Sequence, residues 1–177
     1  MPQHAVLTAV GPDKPGLVDA VSKFILDAGC NIEDSRMAAL GGEFAMLILV
    51  AGEEAGIAKV ASGAGAAGEK SGLTVLVRRA GTPGGSKVGS IPYQIEAYSM
   101  DHPGIVQRVA RFLAERRINV RALDTRVSHA SVTGSKLFSL HATVDVPPDV
   151  NVIDLRKGLE QIGHQENIDL EVKPAAG

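Results

Sequence analysis

The chain of 177 residues contains no tryptophan, only two tyrosines and four phenylalanines, and a single cysteine, Cys30. One thiol can close no intramolecular disulfide and cannot build a thiolate metal site, and the five histidines show no metal-ligand spacing, so no metal is expected. With aromatics at 3%, Val, Leu, Ile and Ala must build the core. An excess of charge of one sign is lacking too. Eighteen Lys and Arg against 20 Asp and Glu leave a formal net charge of -2, which offers no general attraction for phosphate backbones or anionic membranes. Direct nucleic-acid binding is therefore disfavoured. The most apolar run, Phe44 to Ala51, is far too short to span a bilayer and reads as a buried strand. The opening Met1-Pro2-Gln3-His4-Ala5 has neither the basic nor the apolar segment of a signal peptide, so the expected location is the cytoplasm, with no membrane association.

What the chain does have is one pattern written twice. Asp13-Lys14-Pro15-Gly16-Leu17-Val18 recurs as Asp101-His102-Pro103-Gly104-Ile105-Val106, and both copies run on through Val21/Val109 and Phe24/Phe112 to Asn31-Ile32 and Asn119-Val120. A self-match at fixed period sets the unit whose function is in question. Two small units of this size are expected to bury surface against each other or against a second chain, which makes a homo-oligomer the expected state.

The two copies read as the same elements. Ala5, Leu7 and Ala9, like Tyr93, Ile95 and Ala97, alternate with other residues at the period of a strand with one covered face. After each Pro-Gly a single apolar stripe describes a helix: Leu17, Val21, Phe24, Ile25 and Ala28, matched by Ile105, Val109, Phe112 and Leu113. Second strands are expected near 31–39 and 119–127, and Gly41-Gly42 reads as a tight turn into a third strand at 44–50. In copy two a longer connection, Ser128 to Ser135, leads to a strand alternating Phe138, Leu140, Ala142, Val144 and Val146 with polar residues. Second helices follow at 53–65 and 152–162, and last strands at 73–78 and 168–172. The order is βαββαβ twice, an α+β fold of two ferredoxin-like units. Residues 1–80 and 92–177 are assigned to the two domains and 81–91 to the linker, with the flexible run Ala80 to Lys87 crossing its start.

The Asp-x-Pro-Gly turn is the strongest candidate for chemistry. Proline presets the first helical φ, glycine lets another molecule approach the backbone, and the free N–H groups of a helix start can hold a carboxylate. An adjacent Asp13 or Asp101 could hold an ammonium group. The structural alternative is that Asp merely caps the helix and Pro-Gly merely starts it. Asn31 and Asn119 stand where the helix passes into the second strand, either as ligand contacts or as turn residues with positive φ. Gly63-Ala64-Gly65-Ala66-Ala67-Gly68 spells G-x-G-x-x-G but follows a helix and precedes a strand, the reverse of the dinucleotide-binding context, so it reads as a frayed glycine-rich helix end. Glu69 separates Gly68 from Lys70 and spoils a phosphate loop. No local context for a Ser or Cys nucleophile is present, and Cys30 reads as packed rather than reactive.

With the βαββαβ unit, the Asp-x-Pro-Gly turn and the Asn-Ile strand start in hand, each half resembles an ACT domain, a small amino-acid-sensing module. Gly29-Cys30-Asn31-Ile32-Glu33-Asp34-Ser35-Arg36-Met37 with Leu40-Gly41-Gly42-Glu43-Phe44 resembles, more specifically, the first half of the glycine cleavage system transcriptional repressor family. The resemblance implies a non-enzymatic regulator without a cofactor, sensing glycine or a similar amino acid and acting on a DNA-binding transcriptional activator. It also implies a ligand held between associated domains, near Asp13, Pro15, Gly16 and Leu17 with Asn31 and Ile32, and near Asp101, Pro103, Gly104 and Ile105 with Asn119 and Val120. Copy two departs in carrying His102 for Lys14 and Arg121-Ala122 for Glu33-Asp34, so its site is expected to differ in ligand or to be structural. Two other classes remain open at this stage: an enzyme on the same fold, and a ligand-free interaction module.

Overall fold

The computed structural model describes residues 2–81, 89–131 and 133–175. The chain divides into two compact units, Met1–Gly84 and Gly85–Gly177. Most of the expected linker, residues 82–88, lies outside the described residues.

Unit one runs β1 (Gln3–Pro12), α1 (Leu17–Asp27), β2 (Asn31–Leu40), β3 (Glu43–Gly52), α2 (Glu54–Ser71) and β4 (Thr74–Ala80). Unit two repeats it as β5 (Ile91–Met100), α3 (Ile105–Glu115), β6 (Asn119–His129), β7 (Lys136–Val146), α4 (Val152–Glu166) and β8 (Ile168–Pro174). The sheets have the orders β2-β3-β1-β4 and β6-β7-β5-β8, antiparallel throughout. This is the βαββαβ order read from the sequence, in both copies.

Alternation along the central strands makes one face of each sheet a core. In unit one Leu7, Ile48 and Val50 are fully buried beneath Ile25 of α1 and Ile57 and Val60 of α2. In unit two Ile95, Leu140 and Val144 lie under Val109, Leu113, Leu155 and Leu159. Each such side chain contributes on the order of 1.5–3 kcal/mol by leaving water. Gly41 and Gly42, at φ 63 and 87, form the two-residue hairpin turn between β2 and β3, a conformation side chains resist.

Second helices are longer than their sequence patterns suggest. α2 continues through the glycine-rich run to Ser71, so Gly63–Gly68 is not a frayed end. A Cβ at Gly68 would stand 2.5 Å from the Leu73 carbonyl oxygen, and one at Gly63 would stand 3.0 Å from Phe24 Cε2. These glycines let the helix lie close to β4 and α1, and that packing outweighs their poor helix propensity. α4 likewise runs past 162 to Glu166.

Cys30 is 6% exposed, and Cβ atoms built at Gly52 and Gly56 would lie 2.6 and 2.8 Å from its Sγ. Burial pushes its thiol pKa up, against a smaller opposing pull from Lys59. Thiol titration should therefore find Cys30 slow to label in the native protein and immediately reactive in denaturant. Prompt labelling of the folded chain would show that the α1–β2 corner opens.

Candidate functional site

Each Pro-Gly turn sits at one end of its sheet, directly after the first strand. The Asp13 N–H donates to the Gly42 oxygen at 2.9 Å, tying the turn to the β2–β3 hairpin, and the Asp101 N–H donates to the Lys136 oxygen at the same distance. Helix α1 begins at Leu17 with Gly16 as its N-cap at φ 92, and α3 begins at Ile105 with Gly104 at φ 97. Pro15 and Pro103 therefore stand outside the helices rather than at their first position. The glycine is needed because the chain enters through the left-handed region, which an L side chain resists. Among the described residues, a Cβ at Gly16 would meet nothing within 4 Å, so conformation rather than space selects glycine there.

The helix starts carry no side-chain cap among the described residues, so neither Asp13 nor Asp101 serves as one. The first intrahelical bonds are Ala20 N–H to Gly16 O and Arg108 N–H to Gly104 O, both 3.0 Å. Leu17 and Ile105 are 3% and 2% exposed, so their side chains belong to the core and only their backbone can face a ligand. Around the first turn a shallow cavity of about 370 Å³ is lined by Asp13, Gly16, Asp19 and Phe44 among others.

Asn31 and Asn119 lie at the opposite end of the sheet. Asn31 pairs with Ala51, which pairs with His4, whereas Asp13 follows Pro12 at the far end of β1. Nine residues of strand separate the two ends, about 30 Å at 3.3 Å per residue. The same holds in copy two, where Asn119 pairs with Asp145 and Asp101 follows Met100. One copy by itself does not bring its turn and its asparagine together. Neither asparagine has positive φ; that conformation falls on Gly29 (φ 78) and on Arg117 (φ 56) at the duplicate position. Ile32 and Val120 pack against the cores from the second position of β2 and β6.

The structure gives three groups of residues at these ends partners that the sequence did not show. Lys14 and His102 both reach the C-terminus of the second helix: the Lys14 ammonium lies 3.3 Å from where a Gly72 Cβ would stand, and His102 Nε2 is 3.3 Å from the Glu166 oxygen. A basic group there complements the helix dipole. In copy two Arg108 forms an ion pair with Glu166 beside Gly104, where copy one has the small Ala20. At the asparagine end, matching bulges displace Glu33 and Arg121. His4 Nε2 lies 3.0 Å from Glu33, and Arg121 donates at 2.6 Å to Asp145, which is 6% exposed. The ends of the two copies thus carry different chemistry on the same backbone; the exchanges of Lys14 for His102 and Glu33 for Arg121 were visible in the sequence, and that of Ala20 for Arg108 was a further signal there.

Two four-stranded antiparallel sheets, each with both helices on one face and a glycine-capped helix after its first strand, define a tandem of ferredoxin-like domains. Family models described as "ACT domain" match residues 3–78 and 93–161, and the chain belongs to the ACT-domain family, with two ACT domains in tandem. It resembles the glycine cleavage system transcriptional repressor of Escherichia coli (strain K12), at 25% identity over 90% of this chain and 83% of that protein. A solved structure assigned to a glycine cleavage system transcriptional repressor superposes with a TM-score of 0.74 at 25% identity, over 100% of this chain and 99% of the other. A protein of unknown function from Galdieria sulphuraria superposes at 0.83, also at 25% identity, over 99% of this chain and all of its own. These relations support a regulatory role. Among the described residues no helix is long and apolar enough to cross a membrane, and no cluster of His, Cys, Asp and Glu has the arrangement of a metal site.

Proposed function

We propose that the protein is a cytoplasmic regulator that senses a small amino acid, glycine or one like it, and controls transcription through a DNA-binding activator rather than by touching DNA. The observation that carries this reading is the division of the candidate site between two ends of the sheet. The Pro-Gly turn offers backbone N–H groups and an aspartate, and the asparagine end offers an amide about 30 Å away. An amino acid that engages both cannot be held by one ACT domain alone and would join domains of two copies of the chain, with its carboxylate on the helix start of one and its amine held by Asp13 or by an asparagine of the other copy. Binding then favours the arrangement that completes the site, and the ligand shifts association as far as its differential affinity allows. The likeness to a glycine cleavage system transcriptional repressor supports the regulatory class and the choice of glycine as first ligand.

Titration calorimetry of the full chain with glycine, serine, alanine and larger amino acids tests this directly. Saturable heat with glycine or another small amino acid is expected, without turnover of the ligand. The isolated protein should give no sequence-specific gel shift at physiological salt, since its net charge of -2 provides no phosphate-binding field. A specific shift by the protein alone, or conversion of the amino acid to product, would replace this reading.

A further inference from the structure

The helix-free faces of the two sheets differ although their backbones match. In unit one the middle row across this face is Leu47, Thr8 and Leu76; the equivalent row in unit two is His141, Glu96 and Glu171. The row on one side reads Leu49, Val6 and Arg78 against Thr143, Gln94 and Lys173. On the other side Ala45, Val10 and Thr74 stand where unit two has Ser139, Tyr98 and Asp169. Leu47 is 49% exposed, Leu76 60% and Val10 45%. The nearest charges on β2, Asp34 and Arg36, are paired with each other at 2.6 Å, which leaves that side of the face electrically neutral. Unit two's face instead carries Lys173 bonded to Glu96 at 2.6 Å, with His141 beside it.

We propose that the helix-free face of unit one is the surface on which two copies of this chain pair, first ACT domain against first ACT domain. The exposed cluster of Leu47, Leu76 and Val10 with Leu49 and Val6, interrupted by Thr8 and rimmed by Arg78 and the Asp34–Arg36 pair, is an apolar patch with a polar rim, which marks an interaction surface. The matching face of unit two is a poor cover, because pressing Leu47 and Leu76 onto His141, Glu96 and Glu171 would strip charges of water without replacing their partners. The same face on a second copy has the right chemistry, and an isologous pairing presents each leucine row to a leucine row across sheets about 10 Å apart. Its size is adequate as well. Four strands at about 4.8 Å spacing and up to about 30 Å length project roughly 550 Å² per partner, about 1,100 Å² in total, which clears the ~1,000 Å² expected of a specific interface. This sheet face is distinct from the Pro-Gly turns, and pairing through it does not require a bound amino acid.

Sedimentation equilibrium of the full chain, wild type against the double substitution Leu47→Glu and Leu76→Glu, tests it. Both positions are solvent-exposed in the chain, so circular dichroism should show a folded variant. The expected result is a dimeric wild type and a dissociation constant raised at least about 30-fold in the variant, the effect of losing a central hot spot. Glu171→Gln, on the equivalent row of unit two, should leave the dimer unchanged. A monomeric wild type, or a folded double variant with wild-type association, overturns the proposal. Should the double variant misfold, Thr8→Cys decides the matter. With Cys30 buried, a short bismaleimide should join two chains through position 8, and failure to form the covalent dimer counts against the interface.

Discussion

Asp13→Ala is expected to weaken amino-acid binding by about 1.5–3 kcal/mol, roughly 10- to 150-fold, while leaving the fold intact. The size is that of one charge-assisted hydrogen bond lost to an ammonium group. Stability should be spared because Asp13 is exposed and caps no helix; the N-cap of α1 is Gly16, without a side-chain bond among the described residues. The experiment is calorimetry with glycine, paired with urea denaturation of the same samples. Asp101→Ala provides the internal comparison. Its turn is flanked by His102 and by the Arg108–Glu166 pair, so a smaller loss there would mark copy two as the lesser or structural site. Gly16→Val is a poorer probe than its sequence position suggests. The added side chain enters open space but forces φ 92 on a β-branched residue, so its first effect is strain at the helix start, of order 1–2 kcal/mol. If Asp13→Ala, Asp101→Ala and the corresponding Asn31→Ala and Asn119→Ala variants all bind as wild type, the turns are structural and the ligand reading fails.

A larger effect is expected on stability from Gly68→Val. Its Cβ would lie 2.5 Å from the Leu73 carbonyl oxygen, and Val75 crowds the same spot at 3.2 Å. A backbone carbonyl in the connection to β4 cannot rotate aside as a side chain can. Helix α2 must therefore lift from the sheet, at a cost of about 3 kcal/mol or more. Gly163→Val should behave alike, since its Cβ would lie 2.5 Å from the Ile168 oxygen in unit two. Gly65→Ala is the control on the same helix. Among the described residues nothing lies within 4 Å of its Cβ, so better helix propensity should raise stability by about 0.5–1 kcal/mol. Urea midpoints in that order would establish close packing of the second helix in both units. A Gly68→Val midpoint equal to wild type would mean that α2 stands farther from β4 than described.

Much of the fold was legible because two independent signals agreed. Alternation at Ala5, Leu7 and Ala9 describes a half-covered strand, and the duplicate at Ile95 and Ala97 repeats it, so a misreading would have had to occur twice. Gly41-Gly42 announced its hairpin because only glycine accepts two successive positive φ values cheaply. The end of α2 was misread for the opposite reason. Three glycines in six residues weaken a helix by local propensity, and the contacts that favour Gly63 and Gly68 are made with Phe24, Leu73 and Val75, which lie elsewhere in the chain. The helix start was misread at one residue. Pro15 suits a first helical position, but only the φ of Gly16 shows that the helix begins after it.

By itself the sequence determined the duplication, the βαββαβ order of each copy, the buried strips and the identity of the candidate residues, because all of these are written in local spacing. Tertiary structure alone decided where those residues stand. Asn31 is eighteen positions from Asp13 in the chain, yet the return of α1 along β1 carries it to the opposite end of the sheet. Pairing of β1 with β3 and β4 likewise set Thr8 between Leu47 and Leu76 and made an apolar face from residues scattered over three strands. The physical reason is that strand register is fixed by core packing of the whole sheet, so which side chains share the uncovered face follows only once every strand has found its partner.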